Sequence, residues 1–231
     1  MRQSYLVDLT CSTLLAYFAA EASPNHPIDL INIAFHSTAE GYNTPDRVTS
    51  LKSLQELTRL LPDRQFRLHL VNVPLSEIGS QNSHIVSLMY PNDALMDVTI
   101  SAPLWFASRG EAATPADIIY YPPDGATECP APLTSQARVL LVGHGADEIL
   151  GGYARHRAAL QNGGWPRLLQ EMELDYSRLW KRNLGRDDRV LSDCAREARH
   201  PYLDEEFSTW IRSLPPWYEL WSDIFSFSTH D

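Results

Sequence analysis

Short β-favouring runs that alternate with helix-patterned stretches constrain this chain more than any other feature. IDLINIAF (28–35) and RLHLVNV (67–73) read as strands. Between them, TSLKSLQELTRLL (49–61) places Leu51, Leu54, Leu57, Leu60 and Leu61 three and four residues apart, the spacing of an amphipathic helix. Pro62 cannot continue that helix. Strands joined through a helix of this length pair in parallel, because the crossover needs a dozen or more residues.

The alternation extends in both directions. SYLVDL (4–9) predicts a first strand, and STLLAYFAAEA a helix capped by Ser12. ALMDVTISAPLWFASRG reads as a buried helix entered after Pro91 and strained near Pro103. Residues 111–136 carry Pro115, Pro122, Pro123, Pro130 and Pro132, too many for a regular element, so a loop or insertion is expected there. ARVLLVG gives a further strand, ADEILGGYARHRAAL a helix beginning at its carboxylates, and WPRLLQEMELDYSRLWKRNL a longer helix with Pro166 in its first turn. The class expected is α/β, a mostly parallel sheet with flanking helices, in one domain over 1–231.

Composition excludes some functions. The formal net charge is -10, the wrong sign for a general nucleic-acid or anionic-membrane surface. No apolar run approaches the roughly 20 residues of a spanning helix, and the opening MRQSYLVDLTCSTLLAYFAA is a poor secretory signal. Cys11, Cys129 and Cys194 fit neither a disulfide framework nor a CxxC zinc site; a cytoplasmic location is the expectation. The histidines form no HxxH or HExxH spacing and read mostly as surface residues. No G-x-S-x-G elbow accompanies Ser12.

VLLVGHGADEILGGYARHR (139–157) concentrates the chemistry. It runs from a strand through a glycine turn to a helix N-terminus, the place where α/β folds bind ligands. Gly143 and Gly145 permit close backbone approach, and first-turn N–H groups suit an anion. Asp147 and Glu148 would repel a bare phosphate but hold one through Mg²⁺. Alternatively, the two carboxylates only complement the helix dipole, worth about 0.3–1 kcal/mol each. Local physics leaves both open.

The same stretch resembles the second signature of the asparagine synthetase synthase domain, a strand leading into G-x-G-[AS]-D-E-x-x-x-G-Y. The likeness continues through KRNLGRDDRVLSDCAREARHPYLDEEF (181–207), which is similar to the stretch ending in E-A-R-x-P-[FY]-L-D, with R-N-L-G-R-D-D-R at Arg182 to Arg189. MYPNDALMDVTISAPLWFASRG and TPDRVTSLKSLQEL also resemble the divergent asparagine synthetase domain-containing branch.

The resemblance implies an adenine-nucleotide α-hydrolase-like (Rossmann-like) fold, with ATP and Mg²⁺ required. Aspartate would be activated as β-aspartyl-adenylate with release of pyrophosphate, and ammonia or glutamine-derived nitrogen would then displace AMP. By the same resemblance Val142, Gly143 and Gly145 fall where nucleotide is held, and Ile33 near an adenine contact. Asp147 falls on the metal, with Glu148 beside it and His144 as a possible base in place of a family Glu.

The chain also departs from the pattern. The first signature, S-G-G-x-D-S, aligns with Leu6, Val7, Asp8, Leu9, Thr10, Cys11 and Ser12, without either glycine and with Thr10 in place of the Asp. Side chains at Val7 and Asp8 would obstruct phosphate. Arg2 follows Met1 where a glutaminase would carry its cysteine, and 219–231 is an atypical tail lacking a family Lys. A truncated, catalytically inactive homologue acting by binding is therefore the alternative. Arg186, Asp187, Asp188 and Arg189 read as charge pairs fixing a helix, and Trp210, Trp217 and Trp221 with Pro215 and Pro216 as a packing corner.

Overall fold

Each of the three N-terminal strands is followed by a helix, as the alternation predicts. The computed structural model describes residues 3–6, 9–39, 41–112, 114–120 and 134–215. In chain order these form β1 (Gln3–Leu6), α1 (Leu9–Ala22), β2 (Ile28–Phe35), α2 (Pro45–Leu60), β3 (Phe66–Val73), α3 (Leu75–Met89), α4 (Leu95–Arg109), β4 (Ile118–Tyr120) and β5 (Val139–Leu141). There follow α5 (Ala146–Leu150), α6 (Ala154–Leu179), α7 (Gly185–Ser192), β6 (Glu197–Arg199) and α8 (Glu205–Ser213). The chain divides into two compact units, Met1–Val142 with Gly185–Arg199, and Gly143–Leu184 with His200–Asp231.

The first unit is built on a six-stranded sheet of order β4-β3-β2-β1-β5-β6. All neighbours are parallel except β3 and β4. Both faces are covered, which the period-two alternation of β2 makes visible. Ile28 and Leu30 join Ala16, Ala20, Leu54 and Leu57 from α1 and α2. Ile31 instead joins Ile85, Phe106 and Val190 from α3, α4 and α7, with Ile33 and Phe35 packed against them. Two-sided burial of this kind explains why the central strands read as nearly continuous apolar runs.

Helix boundaries follow local chemistry. Thr44 caps α2 by accepting from the Arg47 N–H at 3.3 Å, with Pro45 in the first turn. α4 tolerates Pro103 and ends at Gly110, whose left-handed φ of 61° closes the helix onto the Phe106 carbonyl. The Arg186–Arg189 segment does fix a helix: Arg186 pairs with Asp97 and Asp187. Arg189 donates to the carbonyls of Leu88 and Met89 at 2.9 and 3.0 Å.

Several expectations need correction. Ser12 is not at the N-cap, because α1 already begins at Leu9 and Ser12 is buried in its body. Leu60 is 52% exposed, since it lies about 100° round the helix from Leu61, and the buried stripe of α2 instead runs through Arg47, Ser50, Leu54 and Leu57. The proline-rich stretch contains a strand, β4, which pairs antiparallel with β3 through Arg67, Leu68 and His69; Pro122, Pro123, Pro130, Pro132 and Cys129 lie outside the described residues.

The second unit is helical, and here one expected helix proves to be two. ADEILGGYARHRAAL breaks at Gly151, φ 70°, so α5 is a single short helix and α6 begins afresh at Ala154. α6 breaks in turn at Gly164, φ 65°. A continuous helix would separate Arg155 from Asp175 by about 30 Å, at 1.5 Å per residue. Arg155 Nε instead lies 2.7 Å from the Asp175 carboxylate, so α6 is a helical hairpin that reverses at Gly164. Leu160 and Trp165 pack on Leu168 and Met172 inside it. Pro166 sits at the start of the second limb, where a proline costs no hydrogen bond. Trp210 is 56% exposed and touches only Phe207 among the aromatic rings described; Trp217, Trp221 and Pro216 lie outside the described residues.

Candidate functional site

Within the first unit the strand order reverses between β1 and β5, and α/β sheets hold ligands outside the carboxyl ends of strands at such a point. β1 leads toward Val7 and Asp8, which lie outside the described residues. The chain re-enters as α1 at Leu9, so Thr10, Cys11 and Ser12 are already helical. β5 continues into Val142. That side chain is buried in the core, and its N–H donates to the Arg199 carbonyl at 2.9 Å, extending the ladder to β6. Ile33 lies in the body of β2 opposite Val71, its side chain packed against the core. The structure thus gives Val142 and Ile33 packing duties.

The second unit holds the rest of the turn. The Gly143 carbonyl accepts from the Ala146 N–H at 3.3 Å. Among the described residues, the N–H groups of Gly143 and Gly145 donate to no atom. Gly145 has φ 94°, and a Cβ there would fall 2.2 Å from Leu203 Cδ2; no other residue fits that position. The His144 ring stacks on His200, centroids 5.4 Å apart and 18° from parallel.

Asp147 is half-buried, and among the described residues its carboxylate accepts no hydrogen bond. It lies directly over Gly152, where a Cβ would fall 2.0 Å from Oδ1. Burial raises its pKa, and the positive fields of His156 and Arg155 hold that rise in check. Glu148 is 5% exposed. Burial raises this carboxyl as well, against the lowering influence of the Tyr153 hydroxyl, which donates to Oε1 at 2.6 Å.

A supporting cluster surrounds these carboxylates. The Arg155 guanidinium lies over the Tyr153 ring at 4.0 Å. His156, fully buried, places Nε2 2.9 Å from Asp175. Burial would raise Asp175, yet hydrogen bonds from Arg155 and His156 leave it below the usual carboxylate range. Sequence reasoning missed this cluster. The histidines read mostly as surface residues, yet His156 and His69 are fully buried. Asp175 carries no signal of its role, because only the reversal at Gly164 brings it to Arg155.

Whether these residues suit a hydrated Mg²⁺ carrying phosphate turns on Asp147. Among the described residues no three His, Cys, Asp or Glu side chains converge on a metal position. Mg²⁺ needs fewer, since it is held by one or two carboxylates with phosphate oxygens and water. A half-buried carboxylate that accepts no hydrogen bond among the described residues, following a glycine turn in the chain, fits that requirement. Among the described residues no helix is long and apolar enough to cross a membrane.

Fold and turn together define an α/β protein whose candidate functional segment is a strand, glycine turn and acidic helix start. The asparagine synthase family profile matches residues 129–165, which span that segment. Asparagine synthetase domain-containing protein 1 of Homo sapiens is 37% identical over 190 residues, covering 82% of this chain and 28% of the relative. The Gallus gallus protein of the same name is 39% identical over 175 residues, 75% of this chain and 26% of the relative. An asparagine synthetase domain-containing protein of Drosophila melanogaster is 38% identical over 224 residues, 87% of this chain and 34% of the relative. The chain belongs to the asparagine synthase family, and it spans about a quarter to a third of the length of these curated relatives.

Proposed function

We propose that this chain carries the synthase chemistry of its family, the ATP- and Mg²⁺-dependent amidation of aspartate, on an adenine-nucleotide α-hydrolase-like sheet in the cytoplasm. The observation that carries the reading is the Asp147 carboxylate, half-buried and without an internal hydrogen bond, poised over Gly152. In this reading Asp147 would hold Mg²⁺, whose charge would offset that of pyrophosphate. The Gly143 and Gly145 N–H groups would donate to phosphate oxygens. His144, stacked on His200, supplies an imidazole that would take a proton from the nitrogen nucleophile. Tyr153 fixes the Glu148 carboxylate at the base of the turn.

The test is ATP–pyrophosphate exchange with aspartate and Mg²⁺. Aspartate-dependent exchange that disappears in Asp147→Ala supports the reading; no exchange in the wild-type chain contradicts it. A second reading, a homologue that binds nucleotide without turnover, is favoured by residues 6–12. They lack both glycines of the first signature, and α1 starts at Leu9. Mg²⁺-dependent ATP binding without exchange would select it.

A further inference from the structure

In the second unit a cavity of about 570 Å³ opens among α5, the second limb of α6, and α8. Its apolar wall is Ile149, Leu169, Met172 and Leu174. Leu169 is 41% exposed, an uncovered leucine beside a concavity. The charged groups lining it are Glu148, Glu173 and Arg212. Arg212 is already committed, because its guanidinium pairs with Glu173 and lies over the Tyr176 ring at 4.2 Å. Glu148 lines the cavity as a buried residue whose carboxylate has one neutral donor, the Tyr153 hydroxyl, and no ion pair among the described residues, the Arg155 charge acting on it only from a distance. A buried charge without a countercharge is costly, and a ligand that supplies the countercharge recovers that cost on binding.

We propose that this cavity is a binding site for a primary alkylammonium ligand, its ammonium on Glu148 and its carbon chain along Ile149, Leu169 and Met172. The chemistry selects against alternatives. An alkyl carboxylate of the same size would meet Glu148 and Glu173 with like charge, and a neutral alcohol would leave Glu148 without its countercharge. Free ammonium would fill a small part of the volume and gain nothing from the apolar wall. The site shares Glu148 with the turn of the adenylation reading but does not depend on nucleotide or metal binding there.

Methyl-resolved NMR titration of the chain at neutral pH, with no nucleotide present, tests the proposal with four probes: n-pentylamine, pentanoate, 1-pentanol and ammonium chloride. Pentylamine should shift the methyl signals of Ile149, Leu169 and Met172 and bind about tenfold or more tightly than each of the others, the ratio expected for one charge-assisted hydrogen bond. Glu148→Gln keeps an acceptor for Tyr153 and should bring pentylamine down to the level of pentanol. Equal binding of pentanol or pentanoate overturns the proposal, as does ammonium binding as tight as pentylamine. Pentylamine shifts elsewhere in the chain, or an unchanged affinity in a folded Glu148→Gln, also overturn it. Should that variant not fold, the wild-type probe series decides alone. Because ATP is absent throughout, failure here is distinct from failure of pyrophosphate exchange.

Discussion

At the scale of single residues, the two kinds of carboxylate in this chain behave oppositely. Asp29, buried in the first unit, would be raised by desolvation, but His69, Arg67 and the Ser135 hydroxyl together hold it below its ordinary value of 3.8. A carboxyl depressed by folding contributes stability above its unfolded pKa and loses it as pH falls through the lower, folded value. Asp29→Asn should therefore be most destabilising near pH 7, and the gap from wild type should narrow in urea melts taken at progressively lower pH below about 4. Glu148 is shifted the other way, so its own contribution declines as pH rises from its unfolded value through its raised folded one. Tyr153→Phe removes the hydroxyl on that buried carboxylate and should cost about 1–3 kcal/mol in urea-denaturation free energy. Gly152→Ala acts differently. Its new methyl would occupy the place of Asp147 Oδ1, so Mn²⁺ binding followed by electron paramagnetic resonance should weaken while the melting temperature changes little.

At the scale of elements, the hairpin in α6 is the feature that organises the second unit. The Gly164 backbone is left-handed, and a Cβ there would meet nothing closer than Pro166 Cδ at 3.8 Å. With φ 65° and ψ -166°, a region used essentially by glycine alone, Gly164→Ala should therefore cost only the backbone penalty, about 1–3 kcal/mol, measurable by denaturant melts. The sequence pattern shows limbs on either side but not their reversal, because each limb has helical periodicity and only the φ of one glycine separates a rod from a hairpin. α2 shows a similar limit. Its leucine spacing announces a helix, yet Leu54 is fully buried and Leu60 half-exposed, and polar Arg47 and Ser50 share the buried stripe because Asn32 and Asn72 on β2 and β3 receive or supply their hydrogen bonds. Leu54→Ala should cost about 2–5 kcal/mol and Leu60→Ala no more than about 0.5 kcal/mol.

At the scale of the whole molecule, the parallel sheet was legible because two-sided burial leaves dense apolar runs such as 28–35 and 67–73, whose bounds match β2 and nearly match β3. β4 and β6, three residues each, were not, since a short edge strand is fixed by its neighbour and leaves too few residues for a period. In the turn, Gly143, Gly145 and Asp147 stand out by residue type, which by itself leaves a phosphate cradle and a dipole complement both open. The cluster that supports them, Arg155, His156 and Asp175, was not, because it depends on contacts across 19 and 20 residues of chain. The central claim is that the turn at 143–148 holds Mg²⁺ and phosphate through Asp147. Calorimetric titration of ATP onto the wild-type chain and onto Asp147→Asn, each with and without Mg²⁺, tests it directly. The account predicts Mg²⁺-dependent binding to the wild type that is lost in a folded Asp147→Asn; equal binding to both chains, or no Mg²⁺-dependent binding to either, would contradict it.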